Sequence, residues 1–118
     1  MKYVLPIIAL IAFGLHAADL SGNWPGVLQT GRGVDDHNLT LRLNGQALTG
    51  SVAFSNGKWD IRNVKLDGQK LTFEIALQGS SSWVLGYELN VAGDEMTGTV
   101  KALSGSFPGG KVQFKRKK

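Results

Sequence analysis

Three segments of the chain carry one pattern: "LNGQALTGSV" from Leu43, "LDGQKLTFEI" from Leu66 and "VAGDEMTGTV" from Val91. Each runs apolar residue, small or polar residue, Gly, two more residues, Leu or Met, Thr, then alternation ending in Val or Ile. Gly45, Gly68 and Gly93 recur at spacings of 23 and 25 residues, a repeat whose content is a β-hairpin. Asn44-Gly45 and Asp67-Gly68 suit a two-residue type I′ turn, which needs positive φ at both central positions. Ala92-Gly93 is a weaker match and predicts a slightly longer loop. Those turns set Leu41 opposite Leu48, Leu39 opposite Gly50, Leu89 opposite Met96 and Tyr87 opposite Gly98, with the apolar faces in phase.

Extending the alternation predicts eight strands, over 20–29, 38–44, 47–55, 58–66, 70–78, 82–91, 95–102 and 110–116. The strand over 58–66 changes phase, because Trp59 and Ile61 share one parity while Val64 and Leu66 share the other. A β-bulge near Arg62-Asn63 reconciles them. No stretch after the first 17 residues has helical periodicity. Short strands joined by short turns, with no long crossover for a Greek key, predict an all-β fold, an eight-stranded antiparallel up-and-down (meander) β-barrel. Closure removes exposed strand edges. The chain has no cysteine, so its core and backbone ladders must hold it.

The first 17 residues read differently. Lys2 precedes the apolar run "YVLPIIALIAFGL" and the small residues of "HAAD", the layout of a cleaved signal peptide. The run is short for a membrane span and Pro6 interrupts it, which disfavours the rival reading as an uncleaved anchor. Cleavage after Ala17, with Ala18 as the alternative, leaves one domain over 18–118. The expected location is outside the cytoplasm, periplasmic or extracellular, with no transmembrane span after cleavage. Of the 13 basic residues, Lys2 leaves with the leader and four form the tail "KRKK", Lys115 to Lys118. The remaining body carries eight basic against nine acidic residues, too balanced for a nucleic-acid face. The tail reads as a solubilising, frayed end, or as a weak contact for an anionic envelope surface. A monomer is expected.

The first strand places Leu20, Gly22, Trp24, Gly26 and Leu28 inward. Glycines on both sides of Trp24 let the strand bend, and Gly50 and Gly98 are small inward positions with room for the indole. Trp24 is thus expected to plug one barrel end. The trio Gly22-Asn23-Trp24 resembles the G-x-W signature of the lipocalin and avidin (calycin) β-barrels, and the whole body is similar to small exported bacterial barrel domains of unknown function. The other lipocalin signatures are absent. The resemblance implies that Trp24 closes the barrel base under a basic side chain from the last strand. In "KVQFKR" that residue is Arg116, set for a cation–π contact.

Eight strands enclose just enough space for side chains or for one small ligand. The inward residues are bulky, so the default expectation is a filled core with at most a shallow mouth. If a pocket exists, Trp59, Trp83 and Tyr87 are its walls, and amphipathic aromatics suit sugar faces or flat apolar molecules. Phe107, in the loop "LSGSFPGG", is either a binding aromatic or a side chain folded over the barrel end. The polar loop "TGRGVDDHN", Thr30 to Asn38, reads as a solvated turn rather than a metal site. Nothing implies a cofactor: phosphate-loop and zinc motifs are absent. Catalysis finds little support, since Glu74 and Glu88 fall outward and His37 is the only histidine after the leader; an inward cluster of His37 with Asp35 or Asp36 would reopen it. The expected function is non-enzymatic binding of a small apolar molecule or an oligosaccharide at one barrel mouth. The alternative is a filled-core interaction module of the cell envelope.

Overall fold

The computed structural model describes residues 20–45, 47–54, 57–77, 83–105 and 108–117. The expected signal peptide and Phe107 lie outside them. Nine strands follow in order: β1 (Gly22–Thr30), β2 (Gly33–Asn44), β3 (Ala47–Phe54), β4 (Gly57–Asp60), β5 (Arg62–Asp67), β6 (Lys70–Leu77), β7 (Trp83–Ala92), β8 (Glu95–Ser104) and β9 (Gly110–Lys115). They form a single antiparallel sheet in the order β4-β3-β2-β1-β9-β8-β7-β6-β5, an up-and-down barrel that is nearly closed. No helix among the described residues is long and apolar enough to cross a membrane.

The ninth strand comes from the phase change. What reads as one strand over 58–66 divides at Ile61 into β4, which pairs with β3, and β5, which pairs with β6. The expected bulge is there: the β5–β6 register shifts between Arg62 and Lys65, and Asn63 takes φ 53°. That extra residue returns Val64 and Leu66 to the inner face. The first and last strands do pair, from Gly26 opposite Phe114 to Gln29 opposite Lys111. The incomplete seam lies instead between β3 and β5 and between β4 and β6.

The three repeated hairpins form, but one residue later than expected. Asn44 pairs with Ala47, Asp67 with Lys70 and Ala92 with Glu95. The loops therefore begin at Gly45, Gly68 and Gly93, with φ of 67°, 62° and 64°. Gln69 and Asp94 keep negative φ. Positive φ at the first loop position alone makes the Gly68 and Gly93 turns type II′, not type I′. Leu89 now faces Gly98 and Tyr87 faces Val100. The pairing moves by two residues, so every inward side chain stays inward.

Alternating strand directions give the barrel two distinct ends. At one lie the three glycine turns, the start of β1 and the end of β9. Here Trp24 is fully buried, its Nε1–H donating to the Leu20 carbonyl at 2.9 Å. The Arg116 guanidinium sits 4.3 Å over its ring, held by Asp94 Oδ1 at 3.0 Å and by the Ser21 carbonyl at 2.9 Å. Gly22, at φ 136°, carries the chain between these two partners of the plug. The basic tail is therefore not simply a frayed end: Lys115 belongs to β9, Arg116 to the plug, and the Lys117 amide bonds the Asn23 carbonyl at 2.9 Å. Gly50 and Gly98 do not serve as the space for Trp24. A Cβ on either would run directly onto a paired-strand carbonyl, that of Thr40 or Glu88. These glycines allow adjacent strands to approach where the sheet coils tightly.

At the opposite end, the loop end, β1, β3, β6 and β8 finish and β2, β4, β7 and β9 begin. The interior between the ends is packed with Leu39, Leu41, Val52, Phe73, Ile75 and Leu85, each at most 1% exposed.

Candidate functional site

The expected solvated turn over 30–38 is the largest departure. Thr30 pairs with Gly33, so only Gly31 and Arg32 form the loop and β2 starts at Gly33. Two-residue alternation back from Leu41 and Leu39 then carries His37 inward, where it is 1% exposed. Asp35 and Asp36 remain exposed, so the carboxylates do not join the histidine inside.

His37 sits within a chain of rings. It lies opposite Phe54 in the β2–β3 register and stacks on it, with centroids 4.4 Å apart. Phe54 in turn meets Trp59 at 4.7 Å. Across the barrel, His37 Nε2 lies 2.7 Å from the Tyr87 hydroxyl, and Tyr87 stacks on Phe73 at 4.7 Å. Gly26 separates His37 from Phe114 on the ladder; its missing side chain lets those rings come within 6.2 Å. The row Trp59–Phe54–His37–Tyr87–Phe73 thus crosses the interior, from half-buried rings near the loop end to buried ones in the core.

The polar pair in this row is neutral. Burial lowers the His37 pKa from 6.5 to about 4, opposed by the Asp36 backbone and the Asp35 carboxylate. Burial also raises the Tyr87 hydroxyl above its ordinary range, so it stays protonated. His37 Nδ1 is the one buried side-chain polar atom without a hydrogen-bond partner among the described residues. Counting donors decides the tautomer. Were Nε2 protonated and donating, the Tyr87 proton and Nδ1 would both lack partners. With the Tyr87 O–H donating to Nε2, the ring proton sits on Nδ1, where the Asp36 backbone favours it.

Of the sequence-derived wall residues, Trp59 is half-buried over Gly57 and belongs to the row. Tyr87 belongs to it but is 2% exposed, a core residue rather than an open wall. Trp83 is half-buried at the loop end, paired with Leu77 and lying against Gly105; no ring contact joins it to Trp59 or Tyr87 among the described residues. Two depressions open to solvent: one of about 580 Å³, lined by residues such as Thr72, Glu88 and Lys101, and one of about 810 Å³, lined by Pro25, Asn38 and Lys58 together with His37 and Phe54 of the row. No group of three or more His, Cys, Asp or Glu among the described residues is placed to hold a metal ion. His37 and Phe54 are thus the residues that complete the row, and the signal for His37 was its parity with Leu39 and Leu41.

No family model matches the chain, and neither a curated protein nor a solved structure matches it.

Proposed function

We propose that the protein is an exported, non-enzymatic barrel of calycin type, acting as a monomer in the periplasm or outside the cell. It binds a small apolar molecule or an oligosaccharide at its loop end. The observation that carries this reading is the ring row: half-buried Trp59 and Phe54 present aromatic surface close to the loop end, and directly behind them lies a buried polar pair, His37 and Tyr87. Apolar walls with a few placed polar groups are what small-ligand sites are made of. A site of this kind is shallow, because the core beneath it is packed. That packing also supports the second reading, a filled-core interaction module of the envelope, whose Lys117 and neighbouring basic residues meet an anionic surface.

Tryptophan emission separates the two. Titration with 1-anilinonaphthalene-8-sulfonate and with maltohexaose is expected to give a saturable shift that Trp59→Phe removes and Trp83→Phe reduces. No response to either, in protein that circular dichroism shows to be folded, overturns the binding reading in favour of the second.

A further inference from the structure

We infer that the open edge of β5, at the glycine-turn end, takes an extended peptide segment of another protein as an added strand antiparallel to β5, and that Lys65 and Asp67 select a segment reading basic, apolar, acidic, apolar. This second site is independent of the loop end. It lies where the barrel fails to close. β5 pairs with β6 and ends the sheet, and β4, the other terminal strand, covers β3 only over 51–54. Among the described residues one backbone bond joins the two sides, from the Ile61 amide to the Gly50 carbonyl at 3.0 Å. Beyond it, toward the glycine turns, residues of β3 and β5 line a groove of about 450 Å³, with Leu48, Thr49, Ile61, Val64 and Leu66 on its walls.

The backbone along this groove points into it. Asp67 and Lys70 flank a two-residue loop and so bond each other, and by alternation Lys65 bonds Thr72. Leu66 therefore turns its N–H and C=O away from β6, into the groove. On the other wall the Gly50 carbonyl is turned the same way to receive Ile61, and alternation gives Leu48 that direction too. Among the described residues neither Leu48 nor Leu66 has a backbone partner across the groove. A free strand edge over an apolar floor is what an added strand needs.

The side chains set the sequence of that strand. A residue opposite Leu66 points inward beside Leu48 and Val64, which pack against the core, and must be apolar. Lys65 and Asp67 are exposed and make no ion pair among the described residues. Residues opposite them stand at non-hydrogen-bonded positions, where facing side chains come closest. Charge complementarity asks for an acid opposite Lys65 and a base opposite Asp67. A second copy of the barrel does not fit, although Lys65-Leu66-Asp67 itself has that order. β3 stands where the β6 of the second copy would have to lie, so the groove admits a lone strand.

Two capped, fluorescein-labelled peptides of one composition, Thr-Lys-Val-Glu-Val-Thr and Thr-Glu-Val-Lys-Val-Thr, test this by anisotropy with the full chain. The first is expected to bind about tenfold more tightly, since two charge pairs change from attraction to repulsion in the second. Exchanging the charges with Lys65→Asp and Asp67→Lys together is expected to invert the preference, with an unchanged circular dichroism spectrum. Two readouts need no variant. Methylating the backbone nitrogen of the first valine, whose N–H meets the Leu66 carbonyl, is expected to abolish binding. Hydrogen exchange at the Leu66 amide is expected to slow when the first peptide is present. Equal affinity for the two orders, a preference that the exchanged charges leave in place, or no binding by either peptide overturns the inference. A dimer in sedimentation with neither peptide bound overturns it in favour of a second copy. The loop-end reading stands or falls separately, on the maltohexaose and anilinonaphthalene titrations.

Discussion

Acid is expected to loosen this barrel well before its carboxylates are protonated, and His37 is the reason. The unfolded chain has an ordinary histidine near 6.5, whereas the folded state holds it at about 4. As pH falls through 6.5 the unfolded state takes up a proton that the folded state refuses until about pH 4. The stability that neutral His37 contributes is therefore complete above neutral pH and drains away on acidification. Linkage between those two values gives a loss of about 2 kcal/mol from pH 7 to pH 5, and about 3 kcal/mol below pH 4. The interval down to pH 5 is informative because ordinary carboxylates, near 4, remain mostly charged there. Urea unfolding followed by tryptophan emission at pH 7 and pH 5, on the wild type and on His37→Gln, isolates the effect. Glutamine keeps an amide near Tyr87 and does not titrate, and His16 is common to both proteins. The wild type is expected to lose about 2 kcal/mol more than the variant. Equal losses in the two proteins, or an NMR titration of folded His37 with its midpoint at 6 or above, would refute the argument that burial holds the ring neutral.

The other predictions concern the frame. Trp24→Ala is expected to cost about 3–5 kcal/mol in urea unfolding, as large-to-small changes in a packed core do; a loss below about 1 kcal/mol would mean that Trp24 is no plug. Arg116→Ala removes the cation–π contact and the partly buried pair with Asp94, for an expected cost of about 1–2 kcal/mol that 1 M salt only partly reproduces in the wild type. Gly98→Ala drives a methyl group onto the Glu88 carbonyl, and a loss of about 3 kcal/mol or failure to fold is expected. At the bulge, Asn63→Val forces a β-branched residue into left-handed φ and is expected to cost about 1–2 kcal/mol, while Asn63→Gly stays within about 1 kcal/mol of the wild type.

Much of the frame was legible because it rests on two-residue alternation, which survives small errors in register. Placing each hairpin turn one residue early set Leu89 opposite Met96 instead of Gly98, and both positions face inward. The bulge at Asn63 was legible for the same reason: a phase change within one strand has few other solutions. What alternation cannot show is how a strand divides between two partners. The split at Ile61 depends on barrel closure, where β4 follows β3 and β5 follows β6, and nothing local to "KWDIRNVKL" marks which neighbour each half takes. The turn type was obscured by composition. Asn-Gly and Asp-Gly favour a type I′ turn at those two residues, but the observed register, with Asn44 opposite Ala47 and Asp67 opposite Lys70, puts glycine first in the loop.

The site was harder to see because polarity masked periodicity. "GVDDHN" has the composition of a loop, and each of Asp35, Asp36 and His37 argues for solvent when taken alone. The parity argues otherwise. Leu41, Leu39 and His37 lie at successive inward positions of β2, and Gly26, directly across the ladder, leaves room there for a ring. In a barrel wall a residue's destination is set by its place in the alternation, and its chemistry decides only what that placement costs. A histidine carried inward in this way must be neutral, must find a partner for one nitrogen and must leave a proton on the other. Tyr87, on the far wall, is the partner that satisfies the first nitrogen. It stands 50 residues away in sequence, and only the closed sheet brings the two together.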